Sequence, residues 1–161
     1  MKIHVIGCGN PSRGDDGLGI GLAQAVEAAT PANVTTDSDY QLNIEHAVDI
    51  SEADLVIFAD ASLDASEPFE FRELEPANRI EFSTHSVDAE SVLAICQNIY
   101  GHAPQAWMLG IRGYSFELGD GLCPKAQRNL ESAAGFLLSF LQGRRVGENI
   151  REGEALSEPI S

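Results

Sequence analysis

Positive charge is scarce in this sequence of 161 residues, which carries 10 lysines and arginines against 25 aspartates and glutamates, for a formal net charge of −15. Proteins that bind nucleic acids need a surface rich in Lys and Arg to contact the phosphates. We therefore expect no nucleic-acid partner. An acidic surface favours a basic or metal-bearing partner instead, although acidity by itself mainly promotes solubility.

Cysteine is also scarce, and long apolar runs are lacking. The three cysteines, Cys8, Cys96 and Cys123, form no Cys-x-x-Cys pair, so the sequence fits a reducing compartment better than a disulfide framework or a structural zinc site. No segment approaches the roughly 20 apolar residues of a membrane-spanning helix. No basic region followed by an apolar run, as in a signal peptide, precedes the first predicted strand. We expect a cytoplasmic monomer that does not contact the membrane.

The sequence does contain an alternation of strand-like and helix-like segments. It predicts an α/β fold, namely a doubly wound, mostly parallel sheet of about five strands with helices on both faces, a three-layer sandwich. Residues 1–142 should form one domain, and the charged, apolar-poor residues 143–161 a flexible C-terminal tail. The predicted strands are 2–7, 33–36, 54–61, 69–74 and 105–111, the predicted helices 18–29, 44–50, 86–100 and 124–141, and residues 37–41 a loop.

The first predicted strand leads into a glycine-rich loop that carries two adjacent carboxylates, Asp15 and Asp16, before the first helix. In open α/β sheets, ligands usually bind beyond the carboxyl ends of the strands. The unpaired N–H groups and the dipole at a helix N-terminus favour anions, but two aspartates there would repel a pyrophosphate. We interpret the loop as a site for a cation or for proton transfer.

Three residues should converge at the carboxyl edge of this predicted sheet. Asp16 follows the first strand, Asp60 closes the apolar strand over 54–61, and His85 precedes a helix. Taken singly, an aspartate at a helix start is often a cap and a lone histidine is often solvated. Taken together, two carboxylates and an imidazole suit a borderline divalent metal such as zinc or nickel.

A nucleotide site is disfavoured by the same loop. Gly7-x-Gly9 could begin a dinucleotide fingerprint with Asp37 as the acid that binds the ribose, but Ser12 stands where the third glycine should be. A P-loop would need a lysine where this loop carries acids. We expect no nucleotide cofactor.

Other candidate residues have ordinary structural explanations. Cys8 could be a nucleophile with His85 as its base, but a buried, small cysteine between two glycines is more common. His46 and His102 have no acid or cysteine at ligand spacing, so we expect both to be surface or packing residues.

Four motifs in order resemble those of the hydrogenase maturation endopeptidases, from residue 1 to about residue 141. They are Gly7-x-Gly9-Asn10 with Gly14-Asp15-Asp16-Gly17-x-Gly19, then Val56-Ile57-Phe58-Ala59-Asp60-Ala61, then Ser83-Thr84-His85, and finally Gly110-Ile111-x-Gly113-x-x-Phe116-Glu117-x-Gly119-x-x-Leu122. The resemblance implies an endopeptidase that removes the C-terminal extension of a nickel-iron hydrogenase large-subunit precursor after nickel insertion. That precursor would be its partner.

The resemblance also implies roles for particular residues. Asp16, Asp60 and His85 would be the catalytic and metal-binding group, sensing nickel that the substrate carries. Either the metal also activates the attacking water, or it is only recognised and a nearby acid, Asp15 or Asp37, is the base. A non-hydrolytic, metal-sensing assembly factor or chaperone is the alternative function.

Two features depart from the family pattern. Many relatives carry Glu where Asp16 stands, and Asp is shorter by one methylene. The segment 37–42 lacks the Asp-Gly-Gly-Thr-like turn of many relatives and resembles a second subgroup with a Gln-Leu pair. We expect substrate preference to lie in this segment.

Overall fold

The structure is a computed structural model and describes residues 1–29, 31–80 and 87–145. Within them, five strands form one sheet in the order β2-β1-β3-β5-β4, in which β4 runs antiparallel to β5 and the other pairs are parallel. This confirms the predicted fold class. The elements are β1 Ile3–Cys8, a 3-10 helix Gly14–Gly17, α1 Leu18–Ala29, β2 Val34–Asp39, α2 Glu45–Asp49, β3 Leu55–Ser62, β4 Phe69–Leu74, α3 Ala89–Tyr100, β5 Gln105–Arg112 and α4 Pro124–Arg145.

Helices cover both faces of the sheet. Side chains alternate between the faces along each strand, so each strand can contribute apolar side chains to a core on either face. On β3, Ile57 packs in the core beneath α1 and α4, whereas Phe58 packs in the core beneath α2 and α3. The first core includes an aromatic cluster in which Trp107 stacks on Phe71 with ring centroids 4.5 Å apart. The sheet is therefore apolar on both faces.

Helix α1 lies very close to the sheet, and this approach positions the loop that precedes it. A Cβ added at Gly19 would lie 2.4 Å from the carbonyl oxygen of Cys8 and 2.5 Å from that of Ala59. Glycine is thus required there, although glycine within a helix costs about 1 kcal/mol relative to alanine. The start of α1 is held against the carboxyl ends of β1 and β3.

Three boundaries differ from the predictions by three residues or more, and the others that differ are shifted by one residue. Strand β2 extends to Asp39, which pairs with Cys8 of β1, so the predicted loop at 37–41 is wrong over its first three residues. Helix α3 begins at Ala89, where the side chain of Asp88 accepts the N–H of Ser91 at 2.8 Å. Helix α4 continues to Arg145, and residues 146–161 of the predicted tail lie outside the described residues.

Across residues 1–29, 31–80 and 87–145, no helix is both long enough and apolar enough to span a bilayer.

Candidate functional site

Asp16 and Asp60 are neighbours at the carboxyl edge of the sheet. Asp16 lies in the 3-10 helix, where its Oδ2 accepts the backbone N–H of Asn10 at 2.9 Å. Gly9 has φ +137°, and a Cβ there would lie 1.9 Å from the carbonyl oxygen of Asp16. The glycine-rich loop therefore turns tightly enough to bring Asp16 back over the strand ends, where its charge acts on Asp60.

Asp60 binds a proton more tightly than an ordinary aspartate. Burial raises its pKa most, and the nearby charge of Asp16 raises it further. The backbone N–H of Ala61, which donates to Oδ1 at 2.8 Å, lowers it, and the resulting pKa is about 6. The two carboxylates face the same region, and the Asp60 carboxyl group loses its proton as the pH rises through about 6. Such a pair suits a cation, or the exchange of a proton with a bound molecule.

Asp60 belongs to a row of side chains that crosses the sheet. Cys8 pairs with Asp39 on β2, and Gly7 pairs with Ala59 on β3, so Asp39, Cys8 and Asp60 lie level on three adjacent strands. At about 4.8 Å per strand, the Cα atoms of Asp39 and Asp60 are about 10 Å apart. All three side chains point to the face that α2 and α3 cover.

Cys8 is not an activated thiol. Burial raises its pKa, and the charges of Asp60, Asp39 and Asp37 raise it further, to about 12. The nucleophile is the thiolate, which is negligible at neutral pH for such a group. The structure therefore does not support Cys8 as a nucleophile.

Asp37 lies inside β2 rather than in a loop at the edge. It is two residues behind Asp39 on the same face, and its carboxylate lies with His46 and Asp49 of α2, ligand atoms of the three being within 4.8 Å of one another. His46 is only 2% exposed, and its Nε2 is 3.6 Å from Oδ2 of Asp39. The prediction that His46 has no acidic partner is wrong, because the turn after β2 brings α2 back against the strand.

Asp15 has a structural position that does not suit a general base. Its carboxylate is 1% exposed and accepts the backbone N–H groups of Tyr114 at 2.8 Å, Ser115 at 3.1 Å and Cys123 at 2.9 Å. Burial alone would raise the pKa of Asp15, but these bonds, together with one from the Cys123 thiol, lower it. Asp15 ties the loop over 113–123 to the 3-10 helix, so its prediction as a base is not supported.

Comparison with known proteins gives matches among solved structures. No protein-family model matches the sequence, and no curated protein matches it. The hydrogenase maturating endopeptidase HybD from E. coli superposes with a TM-score of 0.69 at 22% identity, covering 89% of this chain and 94% of that chain. The NiFe hydrogenase maturation protease HycI from Thermococcus kodakarensis KOD1 superposes with a TM-score of 0.67 at 23% identity, covering 88% and 92%. The chain has the fold of the hydrogenase maturation endopeptidases.

This endopeptidase fold places three of the four sequence motifs around one edge. The first spans the end of β1 and the 3-10 helix, the second is β3 with Asp60, and the fourth is the end of β5 with the loop that Asp15 holds. The third motif, with His85, lies outside the described residues. The predicted grouping of Asp16 with Asp60 is present, and the place of His85 beside them stays a prediction.

A cavity of about 220 Å³ opens beside Asp60. Gly110 of β5 pairs with Asp60 and leaves the space next to it free of a side chain. The cavity offers room for a small group in contact with the Asp60 carboxylate. Its lining includes Asp60, Ser62, Glu70, Arg72, Met108 and Gly110.

Asp39 is an acidic residue of this row that the sequence analysis did not single out. Its side chain is 42% exposed and level with Asp60, whereas Asp37 lies on the same face two residues further from this edge, with His46 and Asp49. The signal was the spacing of Asp37 and Asp39, two residues apart, which places both on one face of a strand. Because these residues were predicted to be a loop, that alternation was not used.

Proposed function

We propose that this protein is an endopeptidase that removes the C-terminal extension of a nickel-iron hydrogenase large-subunit precursor after nickel insertion. The observation that carries the proposal is the Asp16–Asp60 carboxylate pair at the carboxyl edge of a sheet with the hydrogenase maturation endopeptidase fold. Carboxylates at this edge fit the general location of ligand sites in open α/β folds. The sequence motifs that resemble the family lie on the same elements.

In this proposal the nickel belongs to the substrate, and Asp16, Asp60 and His85 recognise it. Carboxylates and an imidazole suit a borderline divalent ion, and three ligands leave positions open for the substrate's own groups. A ligand must be deprotonated to bind a metal. Since the pKa of Asp60 is about 6, recognition should strengthen as the pH rises through 6. No nucleotide takes part.

Exposed apolar side chains surround this edge and support a polypeptide substrate. Tyr40 follows β2, Leu63 follows β3, and Leu118 lies in the loop after β5; they are 71%, 55% and 83% exposed. Exposed apolar groups around a polar cleft are typical of surfaces that contact other proteins. We propose that they contact the folded precursor near its C-terminal extension, and that the enzyme acts as a cytoplasmic monomer.

The test is to mix the protein with purified large-subunit precursors, loaded with nickel or free of it, and to measure their masses. The nickel-loaded precursor should lose a C-terminal peptide and the nickel-free precursor should not. The Asp16→Asn variant is the matched control and should cut neither. Nickel-dependent binding without any loss of mass would instead support the metal-sensing assembly factor.

A further inference from the structure

The proposed hydrolysis needs a group that accepts a proton from the attacking water, and the structure offers a carboxylate for this beyond Asp16 and Asp60. We propose that Asp39 is this general base and that His46 positions it. The inference rests on the proposed function. In the step, the water oxygen bonds to the scissile carbonyl carbon while its proton passes to Asp39; the C–N bond then breaks, and that proton passes to the leaving amine.

Asp39 is placed where a substrate can reach it. It ends β2 level with Asp60, about 10 Å away between Cα atoms at the usual strand spacing, and its side chain is 42% exposed. The small, buried side chain of Cys8 lies between the two carboxylates. A peptide bond held next to Asp60 would therefore have Asp39 on one side.

The Asp39 carboxylate is held by neighbouring N–H groups. Oδ1 accepts the backbone N–H of Tyr40 at 2.7 Å. Oδ2 accepts the side-chain N–H of Asn43 at 3.4 Å and lies 3.6 Å from Nε2 of His46. These groups fix the orientation of the carboxylate and leave part of it open to solvent, as a base requires.

The tautomer of His46 follows from its other nitrogen. The backbone N–H of Asn43 donates to Nδ1 of His46 at 3.0 Å, while the side chain of Asn43 accepts the N–H of Glu45 at 2.9 Å. The side chains of Asn43 and His46 thus each accept a backbone N–H group in the turn before α2. Because Nδ1 accepts a hydrogen bond, the proton of the ring is on Nε2, which faces Asp39.

The same tautomer argues against a metal at this cluster. Asp37, His46 and Asp49 have ligand atoms within 4.8 Å of one another, but a histidine that binds a metal normally donates its second N–H to a neighbour. Here the second nitrogen accepts one instead. Nε2 of His46 is therefore suited to face the Asp39 carboxylate, whose Oδ2 lies 3.6 Å away, and to orient it.

A double-mutant cycle tests the pairing on the nickel-loaded precursor. Asp39→Asn should lower kcat at least 100-fold with KM within about twofold, the range expected for loss of a general base. His46→Leu should lower kcat about tenfold. It should have no further effect in the Asp39→Asn background, because two groups that act together are not additive. His46→Gln, which keeps an N–H donor near the Nε2 position, should retain most activity.

Several results would overturn the inference. One is a His46→Leu effect of equal size with and without Asp39. Another is a larger loss for Asp37→Asn than for Asp39→Asn. Asp49→Asn, an acid on the other side of His46, is the matched control and should keep kcat within about threefold. Thermal melting of each variant separates loss of fold from loss of rate.

A spectroscopic measurement separates this inference from the proposed function. Long-range proton–nitrogen NMR of the imidazole rings should show His46 as the Nε2–H tautomer, with its Nε2 signal moved in Asp39→Asn. An Nδ1–H tautomer would overturn the pairing whatever the activity. A wild-type protein with the expected spectrum that cuts no precursor would overturn the proposed function instead, and with it the role of Asp39 as a base.

Discussion

Replacing Asp60 by asparagine is expected to stabilise the fold at neutral pH. In the folded protein, burial and the charge of Asp16 raise the pKa of Asp60 from its ordinary 3.8 to about 6, against the opposing hydrogen bond from Ala61. The ionised carboxylate is thus less favourable in the folded chain than in the unfolded chain. Asparagine has nearly the same shape and no charge to bury.

The size and sign of the effect follow from this shift in the pKa of Asp60. Two units correspond to about 3 kcal/mol at 1.36 kcal/mol per unit. Between pH 4 and 6 the Asp60 carboxyl group is ionised in the unfolded chain but still holds its proton in the folded chain. The free energy of unfolding of the wild type therefore falls as the pH rises through this window. Asp60→Asn does not undergo this fall. Its free energy of unfolding should exceed that of the wild type by about 0.5 kcal/mol at pH 4 and by at most about 3 kcal/mol at pH 7.

Urea denaturation at pH 4 and pH 7 measures this difference. Asp64→Asn, which removes an exposed carboxylate shortly after Asp60, is the matched control and should show no comparable change with pH. Asp60→Asn should also lose precursor cleavage, because it removes a proposed nickel ligand. A variant that is less stable than wild type at pH 7, or equally altered at both pH values, would refute the argument from burial.

Four further outcomes are expected. Asp15→Ala should cost about 3 kcal/mol or more in urea denaturation, because it leaves buried N–H groups unpaired; a loss below 1 kcal/mol would contradict the tie to the loop over 113–123. His85→Ala should melt near the wild-type temperature and abolish cleavage, and normal cleavage would remove His85 from the mechanism. Cys8→Ala should still cut the precursor, since the pKa of that thiol is about 12. A folded but inactive variant would indicate that Cys8 takes part in the reaction. Elemental analysis after chelator-free purification should find little metal, whereas one tightly held zinc per chain, with cleavage indifferent to nickel, would contradict nickel sensing.

Most of the fold could be predicted from local patterns. Helix α1 and strand β4 match the predicted bounds, because apolar residues recur at helical spacing in the first and alternate in the second. Strand β2 was predicted too short. Its residues Asp37, Ser38 and Asp39 are poor strand formers, and their extended form depends on pairing with β1, which a single segment of sequence does not reveal.

The candidate site was predictable only in part, for a related reason. The strand–loop pattern placed Asp16 and Asp60 at one edge, but it could not distinguish Asp15 from Asp16, which are adjacent and have opposite environments. Asp15 is buried by a loop about 100 residues away, and His46 meets Asp39 across a turn. Such contacts arise from tertiary packing and leave no spacing rule in the sequence.

The hydrogen bonds of Asp15 have a consequence for how the protein is made. Its donors come late in the chain: Tyr114 is 99 residues further on and Cys123 is 108. At roughly 5–20 residues per second, a ribosome needs about 5–20 s to synthesise that stretch. A nascent chain that ends before Cys123 lacks donors that fix the loop of Asp15 and Asp16. The loop that carries Asp15 and Asp16 can therefore be fixed in place only after Cys123, 108 residues beyond Asp15, has been synthesised.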